Sequence, residues 1–306
     1  MIQYTDPIAV VIATSKGRTE LLYNRSLRSV YMQEGVNPVE VVIVDDNPIR
    51  DGKNHSDEYP KIKKVIDSLR EEALKEKYQR YIENVGVISF ENNFRTILLK
   101  NTRTHGHSGT GAWNTAIFYL ANKYKDDQLF VAILDDDDEY LDGYLRECAT
   151  IIRENGKITA AIFPYVKWRG AGKNMVFKFT KEDITPRSFF LGNPGIQGSN
   201  MCIRLDLLKE IDGFDESLHS ATDRDLMIRL LNHLALSKEN LDIHIIPKVM
   251  VMHYAYLQDR VTNNKHLKKL GLDIFYAKWK DKFSHEDFIK SLKRVRKLFG
   301  YEYGEK

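Results

Sequence analysis

The sequence contains little cysteine and no long apolar run. Cys148 and Cys202 are its only cysteines in 306 residues, too few for a disulfide framework or a cysteine-based zinc site. No stretch approaches the roughly 20 consecutive apolar residues that cross a bilayer. The first residues also lack the basic segment, apolar run and small-residue cleavage site of a secretory signal. These absences predict a cytoplasmic protein with two reduced thiols.

The sequence also has little excess of one charge sign over the other, except near the C-terminus. The formal net charge is only +3, too mild to favour a nucleic-acid binder. Residues 257–306 contain 13 Lys and Arg against 7 Asp and Glu, so this segment carries +6 and the preceding residues sum to −3. Hydrophobic residues make up 42% and charged residues 29% of the chain, ordinary values for a globular protein.

Short apolar runs alternate with helical patterns over the first half of the chain. Runs at 8–13, 39–44, 96–99 and 129–134 predict buried strands, and spacing at 18–33, 59–81 and 112–122 predicts helices. This alternation is typical of α/β folds with a doubly wound, mostly parallel sheet, whose ligands bind at the carboxyl ends of the strands.

The pattern changes after residue 139. Strands are predicted at 160–168, 175–180, 243–246 and 249–254, with helices at 144–154, 205–211 and 225–234. A turn at Gly213-Phe214-Asp215 is expected to hold Phe214 in the core. We therefore expect a smaller second sheet, followed by a helical tail from residue 257.

An acidic run is the sharpest chemical signal. Asp135-Asp136-Asp137-Asp138-Glu139 directly follows a predicted buried strand, where like charges repel strongly unless a cation joins them. Carboxylate oxygens suit Mg²⁺ or Mn²⁺, so Asp135 and Asp137 form a plausible platform for a metal-bound diphosphate. A solvated acidic turn is the alternative. Asp138 and Glu139 are expected as capping carboxylates of the following helix.

A second acidic pair, Asp45-Asp46, ends the strand at 39–44. Its carboxylates could accept hydrogen bonds from a base or a ribose, or form an Asx turn with Asn47-Pro48. The loop with His105, Gly106, Gly109 and Gly111 could let the backbone approach a phosphate. It matches neither the phosphate-loop pattern nor GxGxxG, which excludes the usual kinase, GTPase and nicotinamide fingerprints.

The basic tail is predicted to form an amphipathic helix. Phe288, Leu292, Val295 and Phe299 form one apolar stripe, with Lys and Arg around it. The stripe could dock onto the protein's own core, or it could attach the protein to an anionic membrane at the inner membrane face.

Seven segments occur in the order found in family 2 glycosyltransferases with the GT-A fold, which the chain resembles over about residues 8–254. They are IAVVIAT, LRSVYMQ, EVVIVDDN, GAWN, AILDDDDEY, IDGFDE and TDRDLMIRL. The resemblance implies a metal-dependent, inverting hexosyltransferase that uses Mn²⁺ or Mg²⁺ and a nucleotide-diphosphate sugar, usually a UDP-sugar. It implies a nucleotide-sugar half at 1–138, an acceptor-binding and catalytic half at 139–256, and the basic tail at 257–306.

The resemblance also implies the residues of the donor site. Thr14 and Asp45 match positions that hold the nucleoside, with Asp46 beside them. Asp135 belongs to a DxD pair that contacts ribose, metal and diphosphate, and Asp136 lies within that pair. The acceptor, whether a glycan, a lipid-linked saccharide, a peptide or a small molecule, is not identified by these residues.

The metal and catalytic positions follow from the same resemblance. Asp137 is the better metal ligand of the DxD pair, and His253 matches a late histidine that binds metal or faces phosphate. Asp223 matches the carboxylate that removes the acceptor's proton. From the residues alone, His253 could equally be a satisfied core histidine and Asp223 a helix cap.

Three positions depart from the family's pattern. Ser15-Lys16-Gly17 replaces Tyr-Asn after the first strand, Trp113 stands where Arg is common, and Thr222 stands where Glu usually precedes the catalytic Asp. Thr222 matters most because it changes the neighbour of the base. Two other functions therefore stay open: a nucleotidyltransferase, and a catalytically silent sugar-nucleotide-binding or scaffold protein.

Overall fold

The computed structural model describes residues 5–49, 53–85, 95–125, 128–170, 172–256 and 264–304. Within these ranges, nine strands form one sheet. In chain order they are β1 (Asp6–Thr14), β2 (Pro38–Asp45), β3 (Thr96–Lys100), β4 (Phe130–Asp135), β5 (Glu139–Tyr140), β6 (Thr159–Gly170), β7 (Lys173–Phe177), β8 (Cys202–Arg204) and β9 (Asp242–Tyr254). Their order across the sheet is β3-β2-β1-β4-β8-β6-β9-β5, and β7 pairs with β6.

The first half of the sheet is parallel, as the apolar runs predict. β1 pairs in parallel with β2 and β4, and β2 pairs in parallel with β3. Ile8, Val10 and Ile12 enter the core on one face of β1, while Ala9 and Val11 enter the core on the other. A strand buried on both faces needs a continuous apolar run, which explains why alternation is missing from its sequence.

Helices cover both faces of the sheet. They are α1 (Thr19–Leu21), α2 (Leu27–Tyr31), α3 (Tyr59–Val85), α4 (Thr110–Lys123), α5 (Tyr144–Asn155), α6 (Pro186–Leu191), α7 (Leu205–Glu210), α8 (Thr222–Leu236), α9 (Lys265–Trp279) and α10 (His285–Phe299). The helix predicted at 18–33 is interrupted, because a π-helical turn at Leu22–Ser26 joins α1 to α2. The predicted α/β fold class is confirmed.

The second half of the same sheet is mixed, so the smaller second sheet that the sequence predicts is not separate but continuous with the first. β8 is antiparallel to β4 and β6, whereas β6 and β9 are parallel. The prediction of two separate strands at 243–246 and 249–254 is wrong, because β9 is continuous. Its pairing steps from Pro164↔Ile246 to Tyr165↔Val249, so Pro247 falls in an irregularity of the ladder. Such a bulge accommodates a proline, which has no N–H to donate.

The C-terminal helices are part of the core. Leu272, Phe275 and Tyr276 of α9 are fully buried, as is Val295 of α10. The other three residues of the predicted tail stripe are partly buried against the same core. The apolar stripe therefore docks onto the protein itself. Among the described helices, none is long and apolar enough to cross a membrane.

Candidate active site

The predicted site residues converge where the parallel strands end. Thr14 lies opposite Asp45 in the register of β1 and β2, and Ala13 lies opposite Asp135 in the register of β1 and β4. Neighbouring strands are about 4.8 Å apart, so the two acidic segments lie on either side of the end of β1. This is the edge at which open α/β sheets bind ligands.

Asp45 is buried and engaged in a local turn. Its Oδ1 accepts hydrogen bonds from the Asn47 backbone N at 3.1 Å and from Asn47 Nδ2 at 2.6 Å. Its Oδ2 accepts a hydrogen bond from the Ser56 hydroxyl. These are the contacts of the Asx-turn alternative. A role of Asp45 in nucleoside binding stays a prediction.

Asp46 organises the glycine-containing loop. Its Oδ1 accepts a hydrogen bond from Asn101 Nδ2 at 2.6 Å, and its Oδ2 accepts one from Gly106 N at 3.1 Å. Burial raises the pKa of Asp46, and these donors oppose the rise. The loop then passes so close to α4 that a Cβ on Gly111 would lie 2.0 Å from the Thr104 carbonyl oxygen. Gly111 therefore serves this close backbone approach.

The acidic run forms a compact carboxylate cluster. Asp135, Asp137 and Asp138 can each offer an oxygen, and these atoms lie within 4.8 Å of one another. Asp135 is partly exposed, whereas Asp137 is 5% exposed. Burial and the neighbouring carboxylates, Asp138 first among them, raise the pKa of Asp135. This set of hard oxygen donors with mutual repulsion fits a divalent cation such as Mg²⁺ or Mn²⁺.

Arg18 neutralises part of this cluster, which the sequence analysis missed. Its Nε donates to Asp136 Oδ1 at 2.6 Å, and its Nη2 contacts Asp137 Oδ2 at 2.8 Å. Burial raises the pKa of Asp136 to about 7, although Arg18 opposes the rise. The sequence does contain one indication of this role: Arg18 is a cationic residue four positions after the end of β1. Residues that closely follow such a strand lie at the edge of the sheet where ligands bind.

Asp138 belongs to a buried network and caps no helix, contrary to its prediction. Its Oδ2 lies 2.7 Å from His253 Nδ1 and accepts a hydrogen bond from the Ser199 hydroxyl at 2.5 Å. Its Oδ1 accepts one from Tyr254 N at 3.1 Å. Burial alone would raise the pKa of Asp138, but His253 and these donors lower it. Glu139 likewise accepts a hydrogen bond from the Tyr254 hydroxyl at 2.6 Å.

His253 is 4% exposed at the end of β9. Because its Nδ1 is engaged by Asp138, any contact with a metal or a phosphate has to be made through Nε2. Its assignment as a metal ligand stays a prediction.

Asp223 lies in the first turn of α8 and acts electrostatically on Asp135 of the cluster. It is partly exposed, and burial raises its pKa to about 6 against the opposing effects of His253, Lys268 and the Gly198 backbone N–H. The helix begins earlier than predicted, at Thr222, and its N-cap position is Ala221, which makes no side-chain cap. Asp223 therefore does not cap the helix, which was the alternative role that the sequence left open.

Trp113 supports the loop that contacts Asp223. A Cβ on Gly198 would lie 3.0 Å from the Trp113 ring, and that ring also packs against Phe214 with centroids 4.9 Å apart. Phe214 is 2% exposed, as predicted for the turn that contains it. Asn114 fixes this turn, since its side chain accepts from Phe214 N and donates to Phe214 O, both at 2.8 Å.

Comparisons with known proteins support the fold. No protein-family model matches the sequence, and no curated protein matches it. Among solved structures, the chain is similar to S. aureus TarS residues 1–349 in complex with UDP, with a TM-score of 0.52, 18% identity, and coverage of 96% of this chain and 86% of that one. The same TarS fragment in complex with UDP-GlcNAc gives a TM-score of 0.50 at 17% identity, covering 95% of this chain and 81% of that one.

A second neighbour comes from another organism. The mannosyltransferase PcManGT from Pyrobaculum calidifontis, in complex with GDP-Man and Mn²⁺, gives a TM-score of 0.53 at 15% identity, covering 96% of this chain and 70% of that one. At these identities the similarities show the fold. The chain has a GT-A-type fold, as the resemblance of its sequence implies.

Proposed function

We propose that the chain is an inverting glycosyltransferase that moves a sugar, most simply a hexose, from a nucleotide-diphosphate donor to an acceptor. One observation carries the proposal: a carboxylate cluster and a separate, partly exposed carboxylate, Asp223, share the ligand edge of a parallel sheet. The neighbours add support, because the TarS structure is a complex with UDP-GlcNAc and the PcManGT structure is a complex with GDP-Man and Mn²⁺. We favour a UDP-sugar as the donor.

The donor would bind across the ends of β1, β2 and β4. Thr14, Asp45 and Asp46 would meet the nucleoside, while Asp135 and Asp136 would meet the ribose and diphosphate. Each of these carboxylates can accept a hydrogen bond from a hydroxyl or an imide N–H. Arg18 forms ion pairs with both Asp136 and Asp137 and offsets part of their mutual repulsion.

A divalent cation would be held by Asp137 and Asp135, whose oxygens belong to the carboxylate cluster, and His253 would be a further ligand. Bound there, Mn²⁺ or Mg²⁺ would supply positive charge next to the departing diphosphate. Asp138 fixes the ring of His253 through Nδ1, which is the usual way in which a carboxylate orients a ligating histidine.

Asp223 would act as the general base. Its pKa of about 6 leaves it ionised at neutral pH, yet basic enough to accept a proton. It would take the proton of the acceptor hydroxyl as that oxygen attacks the anomeric carbon. The carbon–oxygen bond to the diphosphate breaks, and its electron pair leaves with the nucleoside diphosphate. Attack opposite the leaving group inverts the anomeric carbon.

A donor screen tests the proposal. Uridine, guanosine and thymidine diphosphate sugars would be incubated with the protein and an acceptor mixture, with and without Mn²⁺, while mass spectrometry follows sugar transfer and nucleotide release. We expect release of a nucleoside diphosphate that requires the cation. Release of inorganic diphosphate from a nucleoside triphosphate and a sugar phosphate would instead support the nucleotidyltransferase. Calorimetric binding without any turnover would support the silent scaffold.

A further inference from the structure

A small cavity lies between the beginning of α9 and the turn that follows α10. Its volume is about 190 Å³, and it is lined by Lys265, Lys268, Lys269 and residues 299–302. Because about 10–15 Å³ is enough for one water molecule, the cavity has room for a tetrahedral anion and some of its hydration. We call it the lysine pocket.

The lining of the lysine pocket is strongly cationic. Three of its residues are lysines, and its one acidic residue, Glu302, is paired with Arg296 at 2.6 Å. Lys268 is partly buried, and its Nζ lies 4.6 Å from the centroid of the Phe299 ring. Burial lowers the pKa of Lys268 to about 8, so it is charged at neutral pH. The site thus holds positive charge in a half-desolvated place, where an anion binds more strongly than at an open surface.

The helix that lines the pocket, α9, also packs against the loop that precedes the proposed base. The Ser220 hydroxyl donates to the Lys268 carbonyl at 3.2 Å, three residues before Asp223. A Cβ on Gly271 would lie 2.4 Å from Ser220 Oγ, so α9 sits directly against this loop. Lys268 is close enough to Asp223 for each to shift the other's pKa. Arg224 and Arg294 add further positive charge near Lys268.

We infer that the lysine pocket binds a phosphate group of the acceptor, so that a neighbouring hydroxyl of that acceptor reaches Asp223. The inference rests on the proposed function of Asp223. Lysine ammonium groups act as point charges and suit a tetrahedral, highly charged phosphate, whereas planar carboxylates are best matched by the arginine fork. The acceptor class is therefore a phosphorylated sugar, polyol or saccharide.

The binding test uses inorganic phosphate as the probe. Calorimetry at fixed ionic strength would compare the parent, the double variant Lys265→Gln/Lys268→Gln, and Lys282→Gln, which removes one exposed charge away from the pocket. We expect phosphate to bind the parent and Lys282→Gln alike, and the double variant at least fivefold more weakly. No binding to the parent, equal binding by acetate, or displacement of the phosphate by UDP would overturn the inference.

The transfer test separates this inference from the proposed function. Glycerol and glycerol phosphate would be offered as acceptors with the best donor of the screen. We expect the parent to prefer glycerol phosphate through a lower KM, and the double variant to lose this preference while still binding the donor. Transfer without any preference for the phosphorylated acceptor refutes the pocket but not the enzyme. Phosphate binding to the pocket without any transfer refutes the enzyme, and with it the acceptor role of the pocket.

Discussion

Replacing Asp223 by Asn should stabilise the fold while it removes activity. Burial raises the pKa of Asp223 to about 6, from an ordinary value of 3.8. Between these two pH values the folded state binds more protons than the unfolded state, so stability falls as pH rises through that window. Above pH 6 the cost is complete, and two pKa units correspond to about 3 kcal/mol. Since the side chain is partly exposed, we expect a gain of about 1–3 kcal/mol for Asp223→Asn at pH 7.5.

Asp225 provides a matched control two residues further along α8. It is fully buried, but its carboxylate accepts from Arg229 Nε at 2.8 Å, from Trp279 Nε1 at 2.9 Å and from Lys278 Nζ at 2.7 Å. Removing one partner of such a buried ion pair typically costs about 3–5 kcal/mol. Asp225→Asn should therefore destabilise the protein. The same substitution at two positions of one helix should change stability in opposite directions.

Urea denaturation followed by circular dichroism, without nucleotide or metal, measures both variants. The gain of Asp223→Asn should be present at pH 7.5 and should shrink towards pH 4, where the parent carboxylate is itself protonated. Sugar transfer by Asp223→Asn should fall by about 10²–10⁴-fold, with donor affinity within a few fold of the parent. Loss of stability in Asp223→Asn, or near-parental turnover, would refute the assignment of Asp223 as a desolvated base.

Three further outcomes are expected. Asp137→Asn should weaken Mn²⁺-dependent nucleotide binding and leave the circular dichroism spectrum unchanged, and equal metal-dependent binding by the variant would remove Asp137 from the metal site. Asp45→Ala should cost about 1.5–3 kcal/mol of nucleotide affinity, and an unchanged affinity across UDP, GDP and TDP would leave Asp45 only its turn contacts with Asn47 and Ser56. The full chain should not co-sediment with anionic vesicles at physiological salt, because the apolar stripe of α10 is docked on the core; strong, tail-dependent sedimentation would contradict this.

The parallel half of the fold could be predicted because its signals are local. A strand buried on both faces requires an apolar run, and the runs at 8–13 and 39–44 fall within β1 and β2. Their ends carry Thr14, Asp45 and Asp46, and the register of a parallel sheet brings such ends together. The irregular β9 was missed because its continuity depends on β6, which pairs with it on both sides of Pro247.

Side-chain pairing in the candidate site could not be predicted, since the partners are distant in sequence. Asp138 looked like a helix cap, yet its partners Ser199 and His253 are 61 and 115 residues away. Buried carboxylates need partners, and the sequence does not say which loop supplies them. The salt bridges from Arg18 to Asp136 and Asp137 arise in the same way, from two strand ends that meet only in the folded chain.

The base's environment shows how much of the site depends on the C-terminal helices. From the sequence, Thr222 is expected to be the most consequential departure, because it stands where an acidic residue usually precedes Asp223. In the structure Thr222 is 5% exposed, and the cation that acts on Asp223 alongside His253 is Lys268 of α9. Trp279, at the other end of α9, donates to Asp225 of α8 at 2.9 Å. Helix α9 thus acts on the first turn of α8 at two residues. Lys268 acts electrostatically on Asp223, and Trp279 donates a hydrogen bond to Asp225. Because Lys268 shifts the pKa of Asp223 and Trp279 holds Asp225 in the same helical turn, the basic tail belongs to the reaction centre that we propose.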